Sequence, residues 1–245
     1  MLSAIMTIPE KINIVTKDKD LSRIPMNKTQ LSWHGIEAVI FDMDGVLVDS
    51  EPFWQQAQMA VLPRYGVPLT WQDTVRTTGI RIDLIVAMYQ QRHPWSGATV
   101  TEVADEIVEQ VAQLVRHQGQ PLPGVQQAIV AIKAKGLRLA LATSSPTLLI
   151  DATLARLGLT DAFEVICSAE ALPYGKPHPQ VYLNAAEGLG IIPSNCVAIE
   201  DSVTGVIAGK AASMKVVAIP EANQQQDPRF SIADLQLRSL EELQF

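Results

Sequence analysis

The feature that most constrains this chain is an apolar strand that ends in two carboxylates. Residues 38–50 read AVIFDMDGVLVDS, so a run rich in Val, Ile and Phe leads directly into Asp42 and Asp44. Such a run is typical of a strand that is buried on both faces of a parallel sheet. Gly45 then allows the chain to turn away sharply. Ligands of open α/β sheets bind beyond the carboxyl ends of the strands, so this turn is a candidate site.

The spacing of the two acids bears on their chemistry. On an extended strand, Asp42 and Asp44 point their side chains the same way, because successive side chains alternate. Two close carboxylates are unfavourable unless a cation or a shared proton compensates their charge. Taken alone, the motif is more often an exposed Asp-rich turn without function. The rest of the chain must therefore decide between a site and a turn.

Three further polar motifs fall at predicted strand ends or helix starts. They are Thr143-Ser144-Ser145, Gly175-Lys176-Pro177 and Glu200-Asp201. The first offers hydroxyl and backbone N–H groups at a helix start, where a phosphate binds readily. The second places a single cation on a stiff turn, and the third ends another apolar strand in carboxylates. Singly, these motifs more often represent a helix cap, a solvated lysine and acids at a helix start.

Strands that alternate with helices predict an α/β fold built on a parallel sheet. Strands are predicted over residues 37–41, 137–142, 163–167, 196–199 and 215–219, with a final edge strand at 234–237. The helices between them are predicted over residues 125–135, 147–157, 178–188 and 203–212, the last beginning at a Ser202 cap. No internal repeat interrupts this order.

The stretch from residue 52 to residue 120 breaks the alternation, because it shows only helical patterns. Helices are predicted over residues 53–65, 71–75, 82–91 and 100–117, with Thr99 or Thr101 as the cap of the last. We therefore divide the chain into an α/β core, residues 36–51 and 121–245, and an all-helical insertion, residues 52–120. Residues 1–35 are interpreted as a partly disordered extension, with one strand-like run at 12–15.

Composition excludes several classes of function. The net charge is −7 and no basic block occurs, which argues against nucleic acid as a partner. No apolar run reaches the ~18 residues that span a membrane, and the N-terminus lacks a secretory signal pattern. Cys167 and Cys196 have no metal-like spacing and are typical of a reduced compartment. We therefore expect a cytoplasmic protein.

Together, and in this order, the four polar motifs resemble those of the haloacid dehalogenase superfamily. Residues 42–52, DMDGVLVDSEP, are similar to the first motif of its β-phosphoglucomutase-like branch. Ser50-Glu51-Pro52, Arg81-Ile82-Asp83 and Leu172-Pro173-Tyr174 resemble the hexitol phosphatases and 2-deoxyglucose-6-phosphate phosphatases of that branch. The resemblance spans about residues 36–220, and it implies a Rossmann-like parallel sheet core with an inserted helical cap over the active site.

The resemblance also implies the roles of individual residues. Asp42 is implied to be the nucleophile, and Asp44 the general acid and base. The residues implied to bind the substrate phosphate are Thr143, Ser144, Ser145 and Lys176. The groups implied to hold Mg²⁺ are Asp42, the backbone carbonyl of Asp44, and Asp201, with Glu200 as a further or water-mediated ligand. Glu51 and Arg81 are candidates for substrate specificity.

The expected function is a Mg²⁺-dependent phosphatase of small sugar or sugar-alcohol phosphates, working through an aspartyl-phosphate intermediate. A small-molecule phosphate ester is its expected partner, and a monomer its expected state. The alternative enzyme is a phosphoglucomutase, although mutases of this branch carry a His about where Trp54 stands. A non-catalytic phosphosugar-binding protein is the third hypothesis. It is disfavoured because degenerate relatives normally lose the nucleophile or the metal-binding acid, and this chain keeps both.

Overall fold

Strand β1, Ala38–Phe41, is fully buried and lies in the middle of the sheet. In the computed structural model, which describes residues 30–245, the other strands are β2 Arg138–Thr143, β3 Val165–Ser168, β4 Cys196–Glu200, β5 Lys215–Ala218 and β6 Leu235–Gln236. All neighbouring pairs run parallel, in the order β3-β2-β1-β4-β5-β6. The predicted parallel sheet is thus confirmed, including its short edge strand. Strand β3 lies slightly later in the chain than residues 163–167.

Eight α-helices accompany these strands in the described part of the chain. The four that follow β1 are α1 Glu51–Val61, α2 Trp71–Arg76, α3 Ile82–Arg92 and α4 Val100–Gln118. The four that alternate with the later strands are α5 Val125–Ala134, α6 Thr147–Leu157, α7 Gln180–Leu189 and α8 Val203–Ala211. Helix α7 begins at Gln180 rather than His178, and Pro179 precedes it. The α/β fold with an inserted helical cap is therefore confirmed.

The two faces of the sheet bury different side chains of β1. Val39 and Phe41 belong to a core shared with α5, α6 and the helices that follow β1. Ala38 and Ile40 belong to a second core, shared with α7 and α8. This alternation matches the two-residue period of a strand with both faces covered. The continuous apolar run in the sequence therefore follows from a three-layer arrangement.

Side-chain caps fix where several helices begin. Thr70 and Thr99 each accept a hydrogen bond from the third residue of α2 and α4, and a carboxylate in each helix bonds back. Such capping boxes satisfy backbone N–H groups that a helix leaves unpaired. Of the two predicted caps of α4, the structure selects Thr99. Ser202 caps α8 as predicted, by accepting from the Gly205 amide.

Strand order places a topological switch point between β1 and β4. The chain moves outward from β1 through β2 to β3, and then returns to β4 on the other side of β1. The amide of Asp42 donates to the Ile199 carbonyl at 2.9 Å, so these two strand ends lie side by side. A crevice at such a point is the usual ligand site of an open α/β sheet. Both acidic motifs therefore meet there.

The described residues of the N-terminal segment pack against the end of the chain. Leu31 is buried, and the indole of Trp33 stacks near the ring of Phe245 and donates to the Gln244 carbonyl at 2.7 Å. The strand-like run at residues 12–15 lies outside the described residues. Among the described helices, none is both long and apolar enough to cross a membrane.

Candidate active site

The ammonium group of Lys176 lies between two carboxylates at the switch point. Its Nζ donates to Asp42 Oδ1 at 2.7 Å, to Glu200 Oε1 at 2.6 Å and to the Ala142 carbonyl at 3.0 Å. The side chain is only 6% exposed, so these contacts are shielded from water. Burial opposes the positive charge, but the Asp42 and Glu200 carboxylates outweigh it and raise the pKa of Lys176. The lysine therefore stays charged.

Glu200 is fully buried, and donors surround both of its oxygens. Besides Lys176, its Oε1 accepts from the Tyr182 hydroxyl at 2.6 Å. Its Oε2 accepts from the Asp201 amide at 3.2 Å and from the amide and hydroxyl of Ser202 at 3.4 and 3.2 Å. These hydrogen bonds fix the Glu200 carboxylate, and the fixed carboxylate in turn positions the Lys176 ammonium group. Sequence reasoning missed Tyr182, because a lone tyrosine inside α7 carries no signal of a distant carboxylate partner.

A glycine in α8 makes the buried position of Glu200 possible. A Cβ atom added to Gly205 would lie 1.9 Å from the Glu200 carboxylate, far inside any real contact. The absence of a side chain therefore lets the start of α8 approach the end of β4. This close approach also brings the Ser202 hydroxyl within reach of Glu200.

Asp44 is held by residues from both the core and the cap. The Ser50 hydroxyl and the Trp54 indole N–H, the latter at 3.4 Å, donate to Oδ1. The Ser145 hydroxyl donates to Oδ2 at 2.5 Å. Ser145 was expected to bind phosphate, and Trp54 was noted as the position of a mutase histidine, so the structure adds an Asp44 contact to each. Ser50 was not anticipated, because nothing in the sequence distinguishes it from a helix cap.

Asp42, Glu200 and Asp201 each offer an oxygen within 4.8 Å of the others. Burial raises the pKa of Asp42 to about 7, and the charges of Glu200 and Asp44 act in the same direction against Lys176. Burial, reinforced by Glu200 and Asp42, raises the pKa of Asp201 as well. Carboxylates thus outnumber the one ammonium in this cluster. A buried cluster whose carboxylate oxygens carry more negative charge than the nearby ammonium compensates suits a small divalent cation.

The turn after β1 brings Asp201 close to the backbone. Gly45 has a φ of +69°, which favours glycine, and an added Cβ would lie 2.0 Å from Asp201 Oδ2. Among the described residues, no backbone N–H donates to the Asp44 carbonyl. No backbone hydrogen bond therefore occupies that carbonyl, and its role as a metal ligand stays a prediction.

The remaining phosphate-binding candidates follow β2. Thr143 is buried at the end of that strand, and its Oγ1 accepts from the Ser145 amide at 3.1 Å. Thr143, Ser144, Ser145 and Lys176 all line one cavity together with Asp42, Asp44 and Asp201. The structure thus brings every candidate for catalysis and phosphate binding to one cavity. The metal candidates Asp42, Asp44 and Asp201 line the same cavity, and Glu200, which is not among the lining residues, offers an oxygen within 4.8 Å of oxygens of Asp42 and Asp201.

The cavity lies between the cap and the core and has a volume of about 770 Å³. This size suits a small phosphate ester. The cap contributes residues of α1, the α2–α3 connection and the start of α3, including both specificity candidates, Glu51 and Arg81. The core also contributes a polar loop, residues 221–229. No motif in the sequence marks this loop as part of a site.

Glu51 begins α1 and reaches the cavity from the cap. Its Oε1 accepts from the Gln55 side-chain amide at 3.0 Å and from the Thr78 hydroxyl at 2.8 Å. Burial raises the pKa of Glu51 to about 7 despite these two hydrogen bonds, and the charges of Glu221 and Asp44 add to the rise. Glu51 is therefore a carboxylate whose charge is costly in the absence of a further partner.

Arg81 contacts the protein itself with most of its donors. Nε and one terminal nitrogen donate to the two oxygens of Asp83, both at 2.7 Å. The other terminal nitrogen donates to the carbonyls of Ala169 and Leu172, at 3.1 and 3.0 Å, in the loop that follows β3. The guanidinium therefore joins the cap to the core at the cavity wall. Its role in specificity stays a prediction.

The parallel sheet, the helical cap and the acidic switch point define a Rossmann-like α/β protein whose cavity is covered by the cap. The haloacid dehalogenase-like hydrolases match residues 36–213, and this chain belongs to that family. The expected relationship to its β-phosphoglucomutase-like branch is confirmed by the relatives that follow.

Hexitol phosphatase B of Escherichia coli strain K12 is 44% identical over 209 residues, covering 85% of this chain and 94% of that protein. The phosphorylated carbohydrates phosphatase of Thermotoga maritima is 36% identical over 183 residues, covering 74% and 83%. The crystal structure of β-phosphoglucomutase from Clostridium difficile superposes with a TM-score of 0.74 at 26% identity, covering 86% and 94%.

Proposed function

We propose that this chain hydrolyses phosphate monoesters of sugars or sugar alcohols, with Mg²⁺ and through a phosphorylated Asp42. The observation that carries the proposal is the convergence of Asp42, Asp44, Asp201 and Lys176 on one cavity beneath the cap. The relatives named as phosphatases of hexitols and of phosphorylated carbohydrates support the substrate class.

Asp42 is the nucleophile in this proposal. Lys176 holds its Oδ1 at 2.7 Å, which fixes the carboxylate and directs the other oxygen toward the substrate. As a carboxylate oxygen forms its bond to phosphorus, the bond from phosphorus to the sugar oxygen breaks. The charge of the transferring phosphoryl oxygens is met by Lys176, by the hydroxyl group of Thr143 and by the backbone amide of Ser144.

Asp44 is the general acid and base. It gives a proton to the departing sugar oxygen in the first step, and in the second it takes a proton from the water that attacks the phosphorylated Asp42. Inorganic phosphate leaves and the Asp42 carboxylate is restored. The three side chains of Ser50, Trp54 and Ser145 hold Asp44 in place for both transfers.

Asp42 and Asp201, together with the Asp44 backbone carbonyl that the resemblance implies, would hold Mg²⁺, because the cluster of Asp42, Glu200 and Asp201 combines hard oxygen atoms with surplus negative charge. When bound, this ion reduces the repulsion between an anionic phosphate and an anionic nucleophile. In our proposal Glu200 acts through Lys176.

The first test is the release of phosphate, with and without Mg²⁺, from hexitol 6-phosphates, hexose 6-phosphates, 2-deoxyglucose 6-phosphate and β-glucose 1-phosphate. We expect release from one or more of the 6-phosphates only when Mg²⁺ is present. An Asp42→Asn variant should lose turnover by about 10³-fold or more and still fold, because Lys176 keeps its contact with Glu200. Equal release without Mg²⁺, or full activity of that variant, would contradict the proposal.

A phosphoglucomutase is the second candidate, since a β-phosphoglucomutase shares the fold over most of both chains. Trp54, which donates to Asp44 at 3.4 Å, stands about where the sequence comparison expects a mutase histidine. A mutase would convert β-glucose 1-phosphate to glucose 6-phosphate without releasing phosphate. The same panel therefore separates the two activities, and we expect release rather than isomerisation.

A further inference from the structure

The cavity wall carries acidic and amide residues from both the cap and the core. Glu51 reaches it from the cap, and Glu221 from the core loop that follows β5. The two carboxylates are close enough for Glu221 to contribute to the raised pKa of Glu51, after the larger effect of burial. The same loop adds the side-chain amides of Asn223, Gln224 and Gln226 to the cavity wall. The wall therefore combines negative charge with groups that both donate and accept hydrogen bonds.

The three arginines that line this cavity, Arg76, Arg81 and Arg229, do little to offset these acids. The Arg229 guanidinium is paired with Asp227, with Nε at 2.9 Å from Oδ2. Arg81 is engaged by Asp83 and by two core carbonyls. Arg76, 3.5 Å from Asp73, has a side chain that is 77% exposed and thus belongs to the solvated rim. A group bound near Glu51 and Glu221 is therefore met by acidic side chains that none of these arginines pairs with.

We infer that Glu51 and Glu221 select phosphate monoesters whose remaining part is uncharged and polyhydroxylated, and reject esters that carry a second anionic group. This inference rests on the proposed phosphatase function and names the substrate class of the same site. A second phosphate or a carboxylate placed beside these acids meets like charge in a partly dry cavity, which is unfavourable.

A polyol, in contrast, supplies what this wall can accept. Glu51 Oε1 is already occupied by Gln55 and Thr78, whereas Oε2 accepts no hydrogen bond from the residues that the structure describes. Substrate hydroxyl groups can donate to that oxygen, and the amides of the loop can pair with neighbouring hydroxyls. Bonds of this kind to a carboxylate are stronger than bonds between neutral groups. The contacts that disfavour a second anion therefore favour a sugar alcohol.

The test compares kcat/KM for three substrates of the full-length protein with Mg²⁺: a hexitol 6-phosphate, the matching hexitol 1,6-bisphosphate, and phosphoglycolate, which carries a carboxylate. We expect the monophosphate to be preferred by about 100-fold or more over each of the others. Glu51→Gln and Glu221→Gln should each reduce that preference by about tenfold, chiefly by raising kcat/KM for the doubly anionic substrates. Gln at position 51 keeps an oxygen for Thr78 and Gln55, so the local structure is retained.

Glu187→Gln is the matched control, because it makes the same change of charge at an exposed site on α7. It should leave the preference unchanged. Phosphatase activity with equal rates on all three substrates, or a preference that neither cavity variant alters, would overturn the inference and leave the proposed function standing.

Absence of activity on every substrate would instead contradict the proposed function. In that case the binding of the same three compounds, measured by calorimetry with Mg²⁺ and the Asp42→Asn variant, still tests the inference. Tighter binding of the bisphosphate than of the monophosphate, unchanged by Glu51→Gln and Glu221→Gln, would refute it.

Discussion

The Ser145 hydroxyl donates a hydrogen bond to Oδ2 of Asp44 over 2.5 Å, joining residues that are 101 positions apart in the chain. The contact links the loop after β2 to the turn after β1, so the acid/base candidate is oriented by a neighbouring strand end. It also engages a hydroxyl that the sequence comparison assigned to the phosphate. Ser145 can thus assist the proton transfer by orienting Asp44, without itself contacting the substrate phosphate.

Removal of this hydroxyl should slow catalysis more than it weakens substrate binding. In Ser145→Ala, Asp44 keeps its Ser50 and Trp54 contacts but is less firmly oriented. We expect kcat to fall by about 10- to 100-fold, with KM changing by less than about threefold. Steady-state kinetics on the preferred monoester measure both constants. Thr147→Ala removes an exposed hydroxyl at the start of α6 and should change neither. A Ser145→Ala variant that altered KM alone would indicate phosphate binding instead.

Glu200 should contribute more to stability than its hydrogen-bonding partner Tyr182. Glu200→Gln removes the buried charge that faces Lys176 and turns one acceptor into a donor. In saturating Mg²⁺, where the surplus negative charge is compensated, we expect the free energy of unfolding to fall by about 3 kcal/mol. Tyr182→Phe removes one hydrogen bond and should cost about 1 kcal/mol. Urea denaturation of both variants provides the comparison, and an equal or reversed order would argue against Glu200 as the anchor of Lys176.

The acidic cluster makes a specific prediction about pH. Because the pKa of Asp42 is raised from 3.8 to about 7, and that of Asp201 is raised too, the folded chain binds more protons than the unfolded chain in this range. Without metal, these groups should therefore make stability decline as pH rises from about 4 to about 7.

Mg²⁺ should reverse that decline, since it binds the deprotonated carboxylates. The rise in melting temperature caused by Mg²⁺ should be several degrees larger at pH 8 than at pH 5. Thermal melts at both values, repeated with Asp201→Asn, measure it. A rise that did not depend on pH, or that survived unchanged in Asp201→Asn, would place the metal elsewhere.

Arg81 should act on catalysis through the position of the cap. In Arg81→Leu the two hydrogen bonds to the core carbonyls of Ala169 and Leu172 are lost. We expect kcat/KM to fall by about 10- to 100-fold, because the cap then covers the cavity less completely and admits water. Arg76→Leu is a matched control, since Arg76 also borders the cavity but is largely exposed. A similar loss in both variants would indicate a general effect of positive charge.

Local patterns predicted local structure well. The helix over 147–157 was placed without error, and Ser202 was identified as a cap, because apolar spacing and capping residues act within a few positions. The strand ends that form the site were also predictable, since apolar runs stop where polar residues begin. The edge strand at Leu235–Gln236 was found within two residues.

Local sequence patterns could not predict contacts between elements that are distant in the chain. The pairing of Tyr182 with Glu200 depends on how α7 packs against the sheet, which no periodicity reveals. Arg81 illustrates the same limit, because the two carbonyls that it contacts in the core belong to a loop 88 to 91 residues further along the chain. The place of the polar loop 221–229 in the cavity wall likewise follows only from the three-dimensional arrangement.

The Arg81 contacts also affect the design of chimeras in which the cap of one family member replaces that of another. A cap grafted from another family member brings its own arginine or none, whereas its acceptors here are two carbonyls whose positions depend on the course of the β3 loop. A chimera that transfers residues 52–120 alone would therefore replace the arginine side of this contact and leave the carbonyl side unchanged. To transfer substrate preference between relatives, the exchanged segment would have to include that core loop as well. The segment that determines specificity is therefore larger than the inserted cap itself.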